Sequence, residues 1–232
     1  MIDFLFFKSP SLLIRKDNSF AQKAKELLFN LFYMYLLLFV ATIVLKLVDY
    51  YVQNQFNFSF YETIFNKQKM KLSNSSIFRI LFIVPLLEEL IFRLPLSLKK
   101  MHMPFISLLF VIFLIHKPSD VYNFRLLIKL ILIILLLGSL IYKFFDQQIL
   151  VIISTKFYPY YFYTFCISFG LMHLLNFYRS VPVSLIVIAP LFVVPQIITG
   201  YFISYIRLRN GFFWGLVFHC ICNMLAVYLF DS

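Results

Sequence analysis

Long apolar runs recur along this sequence, and they leave it few folds to choose from. The stretches 27–48, 76–98, 124–142, 158–177, 181–205 and 212–230 are each flanked by polar or basic residues. A helix needs roughly 20 apolar residues to cross about 30 Å of hydrocarbon. None of the stretches alternates polar and apolar residues as a membrane β-barrel strand would, so a helix, which bonds its own backbone, is the state expected for each. A shorter run, 104–116, begins at Pro104 and fits a tilted span, a re-entrant piece or a helix buried by its neighbours. The expected fold is all-α, a polytopic transmembrane helical bundle with six to eight membrane helices. The longest polar interval is 49–75, and there is neither a fixed-period repeat nor a low-complexity linker. Residues 27–230 therefore read as a single membrane-embedded domain. Residues 1–26 read as a basic N-terminal interfacial segment, since their apolar start is broken by Lys8 and lacks the order of a cleavable signal.

Composition enters through charge. Of 232 residues 62% are hydrophobic and 13% charged, yet the net charge is +11. In a soluble protein that excess would suggest nucleic acid. Here Lys and Arg fall mostly between the apolar runs, as in Lys99-Lys100 and Arg207/Arg209, which is the pattern of orientation in a bilayer with anionic lipids. The expected partner is the lipid bilayer, and no nucleic acid is expected. Lys8, Arg15, Lys16, Lys23 and Lys25 precede the first span and argue for a cytoplasmic N-terminus. Cys166, Cys220 and Cys222 lie in apolar runs without zinc-ribbon or disulfide spacing and read as packing residues. Abundant Phe, Ile, Lys, Asn and Tyr with little Ala or Gly suits an AT-rich bacterial gene, and hence a bacterial inner (cell) membrane.

Against that background the run IFRILFIVPLLEELIFRLPLSL stands out, because it holds Glu88, Glu89 and Arg93. A carboxylate at mid-helix costs roughly 2.5–3.5 kcal/mol on insertion scales, so two cost about 5–7 kcal/mol before compensation. Glu89 and Arg93 stand at i and i+4 and can neutralise each other. Glu88 projects about 100° away around the helix. Apolar surroundings oppose its ionised form and a nearby cation favours it, the balance a general base needs. The alternative is a buried ion pair with a protonated carboxyl that only fixes packing.

Two later runs add polar groups. FGLMHLLNF places Phe169 and His173 at i and i+4, and FFWGLVFHCICNMLAVYLF does the same for His219 and Asn223. Each has a structural explanation, since a histidine can bond a neighbouring carbonyl and a His/Asn pair can clamp two helices. His102 and His116 have no such helical partner and read as interfacial. Jointly, an acid pair, a histidine and a histidine with an amide form an inventory for activating water and holding an oxyanion. No Ser sits in a nucleophile turn, and Cys220 and Cys222 face away from His219 on their own helix. Two histidines and a carboxylate can in principle bind zinc, but His-Glu-x-x-His spacing is missing, so neither a metal nor another cofactor is expected.

These residues resemble the CPBP (CAAX protease and bacteriocin-processing, Abi) family of intramembrane endopeptidases, which includes the type II CAAX prenyl endopeptidases. Glu-Glu-x-x-x-Arg is matched by Glu88, Glu89 and Arg93; Phe-x-x-x-His by Phe169 and His173; His-x-x-x-Asn by His219 and Asn223. The resemblance covers 76–230. It implies a glutamate-dependent peptidase without a required metal, in which Glu88 and His173 activate water, His219 and Asn223 form the oxyanion hole, and Glu89 and Arg93 support Glu88. His173 follows Glu88 by 85 residues, a longer interval than in many members, and the extra apolar material at 104–142 suggests an inserted helical pair or one helix and a re-entrant piece. The implied substrate is a membrane-associated peptide or protein, such as a bacteriocin leader, a pheromone precursor or a regulatory membrane protein. Two other readings remain open: a non-proteolytic immunity or scaffold protein, and a proton-coupled transporter, which lacks the inverted repeat expected of one.

Overall fold

The computed structural model describes residues 18–98 and 151–231. All regular structure among them is helical. The runs at 104–116 and 124–142, and residues 1–17 of the N-terminal segment, lie outside the described residues. Contacts divide the chain into two units. Of the described residues, 86–98 and 151–162 fall in the first, and 18–85 and 163–231 in the second.

The second unit opens with α1 (Phe20–Phe56), which is longer at both ends than the apolar run 27–48. Its start is a reciprocal cap: the Gln22 N–H donates to Ser19 Oγ, and the Ser19 N–H donates to Gln22 Oε1. It runs on through the polar residues 49–56 because neither Gly nor Pro interrupts them, and it stops where Asn57 turns left-handed at φ 50°. The rest of the polar interval is largely α2 (Phe60–Ser73), capped by Ser59. Asp49 joins the two helices. Its carboxylate accepts from the Ser59 hydroxyl at 2.8 Å and from the Phe60 N–H at 2.6 Å.

Prolines explain the next departures. The run 76–98 is a chain of short helical pieces in which the central turn, α3 (Val84–Glu88), is flanked by widened turns at Arg79–Ile83 and Glu89–Arg93. In each widened turn the closing N–H reaches back five residues, from Val84 to the Arg79 carbonyl and from Leu94 to the Glu89 carbonyl. The next residue is a proline in both cases, Pro85 and Pro95. A proline has no N–H and its ring crowds the carbonyl four residues back, so one extra residue is drawn into the preceding turn. A third widened turn, Ile153–Phe157, has the same relation to Pro159 and leads into α4 (Tyr158–Leu174).

The expectation of one helix over 181–205 needs correction. Pro182, Pro190 and Pro195 divide its first half into 3₁₀ turns at Val183–Leu185 and Ala189–Val193, and regular helix, α5, covers only Val194–Asn210. Each of these prolines stands just before or within the first residues of its helical piece, where a missing N–H goes unused. Gly211, at φ 98°, then lets the chain turn into α6 (Phe212–Asp231).

The core of the second unit lies under these broken turns. Phe177, Val181, Leu185, Ala189, Phe192 and Val193 pack with Leu45, Val52 and Phe60, and the Phe60 and Phe192 rings stack at 4.1 Å. At the opposite end of α1, Arg209 grips Glu26 with two charge-assisted bonds of 2.8 and 2.7 Å and donates a third to the Tyr205 hydroxyl. The start of α1 and the end of α5 therefore share one end of this unit.

Among the described residues, two helical stretches are long and apolar enough to cross a membrane, Phe20–Phe56 and Ala189–Asn210. Few residues are buried along the apolar stretch of the first, and one flank with Phe29, Phe32, Phe39 and Leu47 is exposed. Replacing Asp49 by Ala leaves the Ser59 and Phe60 donors without their charged acceptor. We expect a loss of about 2–3 kcal/mol, read as earlier thermal unfolding in detergent. Asp49→Asn, which keeps one acceptor oxygen, should lose less.

Candidate active site

The first unit carries the acidic group. Glu88 closes α3 and Glu89 opens the widened turn that follows, so the two carboxylates meet where the helix changes pitch. Glu88 is 7% exposed, Glu89 0% and Arg93 1%, so this is a charge cluster withdrawn from solvent. Arg93 Nε stands 3.6 Å from Glu89 Oε1, the ion pair that the i, i+4 spacing predicts. The Arg93 guanidinium also lies 6.0 Å from the Phe92 ring centre. Beyond it, Pro95 and Leu96 end the segment in a tight turn. Their carbonyls accept from the hydroxyls of Tyr161 and Tyr158, each at 3.2 Å. The Pro95 carbonyl also accepts from the Leu98 N–H at 2.9 Å, so Tyr161 adds a second bond to a turn already closed by its own backbone.

The second unit carries the histidines and the amide. His173 Nδ1 lies 2.9 Å from the Phe169 carbonyl one turn back. A carbonyl only accepts, so Nδ1 carries the proton, and in the neutral ring Nε2 is the acceptor nitrogen. Phe169 stands between the two histidines. Its ring meets His173 edge-on at 4.8 Å and His219 at 6.0 Å, bringing the second and third motifs together although 46 residues separate these histidines. His219 is 2% exposed, while His173 and Asn223 are half-buried.

Two glycines that the sequence reading passed over make room for this arrangement. A Cβ on Gly200 would stand 2.6 Å from Phe169 Cδ1. One on Gly170 would overlap Ile197 Cγ1 and stand 3.0 Å from the Ile197 backbone nitrogen. Small residues at these two points let α4 and α5 approach closely around the Phe169 ring.

Asn223 is held by another helix. Its Nδ2 donates to the Ile80 carbonyl at 3.1 Å, across from α6 to the widened turn before Pro85. Of the expected residues, the structure thus unites Glu89 with Arg93, and His173 with His219 through Phe169. It joins Asn223 to a backbone group that no motif named. Among the described residues no three His, Cys, Asp or Glu side chains gather as a metal site would require.

No family model, curated protein or solved structure matches this chain.

Two substitutions probe this geometry. Arg93→Met strands the Glu89 carboxylate in a buried site and should cost about 3–5 kcal/mol in thermal or denaturant unfolding. Gly200→Ala drives a methyl into the Phe169 ring and should cost about 1–3 kcal/mol. It should also shift the ring-proton resonances of His173 and His219, whereas a methyl accommodated elsewhere would leave them in place.

Proposed function

We propose that this chain is an intramembrane endopeptidase of the CPBP type, seated in a bacterial cell membrane through six to eight helices. It hydrolyses a peptide bond of a membrane-associated protein or peptide by glutamate-activated water attack. The observation that carries the reading is the burial of Glu88 beside a Glu89 already matched by Arg93. Buried acids within an apolar helix are costly to keep and characteristically mark functional sites.

In this reading Glu88 takes a proton from water as the water oxygen adds to the substrate carbonyl carbon. His173 orients that water through Nε2, the nitrogen left as acceptor by the bond from Nδ1 to Phe169. His219 and the second N–H of the Asn223 amide donate to the oxygen that becomes negative. When the tetrahedral intermediate collapses, the C–N bond breaks and the leaving amine takes the proton from Glu88. Glu89 and Arg93 hold the helix turn that carries Glu88. The reading requires Glu88, His173, His219 and Asn223 to act on a single water and substrate.

One observation favours a second reading, a non-proteolytic immunity or scaffold protein. The bond from Asn223 to Ile80 is the interhelical clamp that a packing role requires. Comparing wild type with Glu88→Gln in liposomes, against a panel of membrane-anchored peptides, separates the two. The peptidase reading expects cleavage to fall by about 10²–10⁴-fold with the melting temperature unchanged and with no response of the wild type to chelators. Full activity in Glu88→Gln would sink the glutamate mechanism. Loss on chelation with recovery on adding zinc would replace it with metal chemistry.

A further inference from the structure

The geometry points to Pro85 as the residue that positions the Asn223 amide, by denying the Ile80 carbonyl any backbone donor. In a regular α-helix that carbonyl would accept from the N–H of Val84, four residues on. Here the Val84 N–H reaches back to Arg79 instead. In a π-turn the Ile80 carbonyl would accept from residue 85, but that residue is a proline and has no N–H. The widened turn therefore presents a carbonyl that needs a donor from outside its own backbone. Asn223 Nδ2 supplies it at 3.1 Å.

This bond does two things to the asparagine. Only nitrogen can face a carbonyl, so the amide is fixed with Nδ2 toward Ile80 and Oδ1 turned from it. One N–H is committed, and the other is held in a defined direction rather than sweeping through the rotamers of a half-buried side chain. Pro85, Ile80 and Asn223 all belong to the second unit, so the clamp stands on contacts within it. Its bearing on catalysis rests on the peptidase reading, which assigns the remaining N–H to the oxyanion; the clamp itself does not.

The test separates the missing N–H from the bulk of the proline ring. The full chain is prepared in detergent with Pro, Ala or lactic acid at position 85, the last giving a backbone ester without N–H and without a ring. Asn223→Ala is introduced into each. With Pro or lactic acid, Asn223→Ala should lower the melting temperature by about 2–4 °C, the shift expected for about 1 kcal/mol in a chain of this size. In Pro85→Ala, whose new N–H lets the turn close and returns the Val84 N–H to Ile80, the decrement should shrink below about 1 °C. Equal decrements in all three backgrounds would overturn the inference. If Pro85→Ala does not fold, the other two decide: an equal decrement with lactic acid supports the missing donor, and a vanished one overturns it.

A second readout addresses positioning for catalysis. For a peptide that the wild type cuts, Pro85→Ala should lower kcat with KM unchanged, and lactic acid at 85 should restore kcat. An unchanged kcat in Pro85→Ala would overturn that part. If the wild type cuts nothing, the peptidase reading fails, while the melting-temperature comparison still decides whether Pro85 holds Asn223.

Discussion

A backbone carbonyl that loses its donor inside an apolar segment must find another, and much of this structure follows from how that need is met. Pro85, Pro95 and Pro159 each follow a widened turn. Where the consequence is visible, at Pro85, a distant side chain completes the bonding: Asn223 donates to the Ile80 carbonyl. Such bonds are modest one by one, but leaving a buried acceptor unmet costs about 1–3 kcal/mol. Pro85 thus helps choose which helix is tied to its own segment. The prolines also place both glutamates at a change of helical pitch, since Glu88 ends the regular turn after one proline and Glu89 begins the widened turn before the next.

The histidines depend on a different constraint, close approach. Gly170 and Gly200 bring α4 against α5 with Phe169 filling the space between, and Phe169 in turn offers its ring to His173 and its carbonyl to the same histidine. One aromatic residue therefore sets both the protonation pattern of His173 and the packing of His219. The acidic cluster is held by charge and burial and the histidine pair by shape, so the two halves of the proposed site should answer to different kinds of substitution.

Much of this was legible in the sequence, and the misses have physical causes. Hydropathy located α1, α4 and α6 and the polar residues within them, and the i, i+4 rule gave the Glu89–Arg93 pair. Hydropathy could not see that α1 begins at a Ser-x-x-Gln cap and continues past its apolar part, because capping and the absence of breakers are local features that a window average erases. It also merged 181–205 into one helix, although three prolines in that stretch were sufficient warning. The close contacts at Gly170 and Gly200 and the tie between Asn223 and Ile80 join residues far apart in sequence, and no spacing rule reaches them. Only Pro85, three residues before Glu88, left a local trace of its role.

The nearly bare flank of α1 has a further consequence on the proposed membrane seating. Its apolar face is closed off at one end by the Glu26–Arg209 pair and at the other by Asp49 with its Ser59 and Phe60 partners. At a rise of about 1.5 Å per residue those two polar fastenings lie about 35 Å apart along the helix. The separation is fixed by the helical rise for as long as the helix stays intact, and it exceeds the roughly 30 Å of an average hydrocarbon core. This helix is a ruler: a thinner lipid layer must tilt it or thicken around it, so bilayer thickness becomes a variable to which the whole second unit is mechanically coupled.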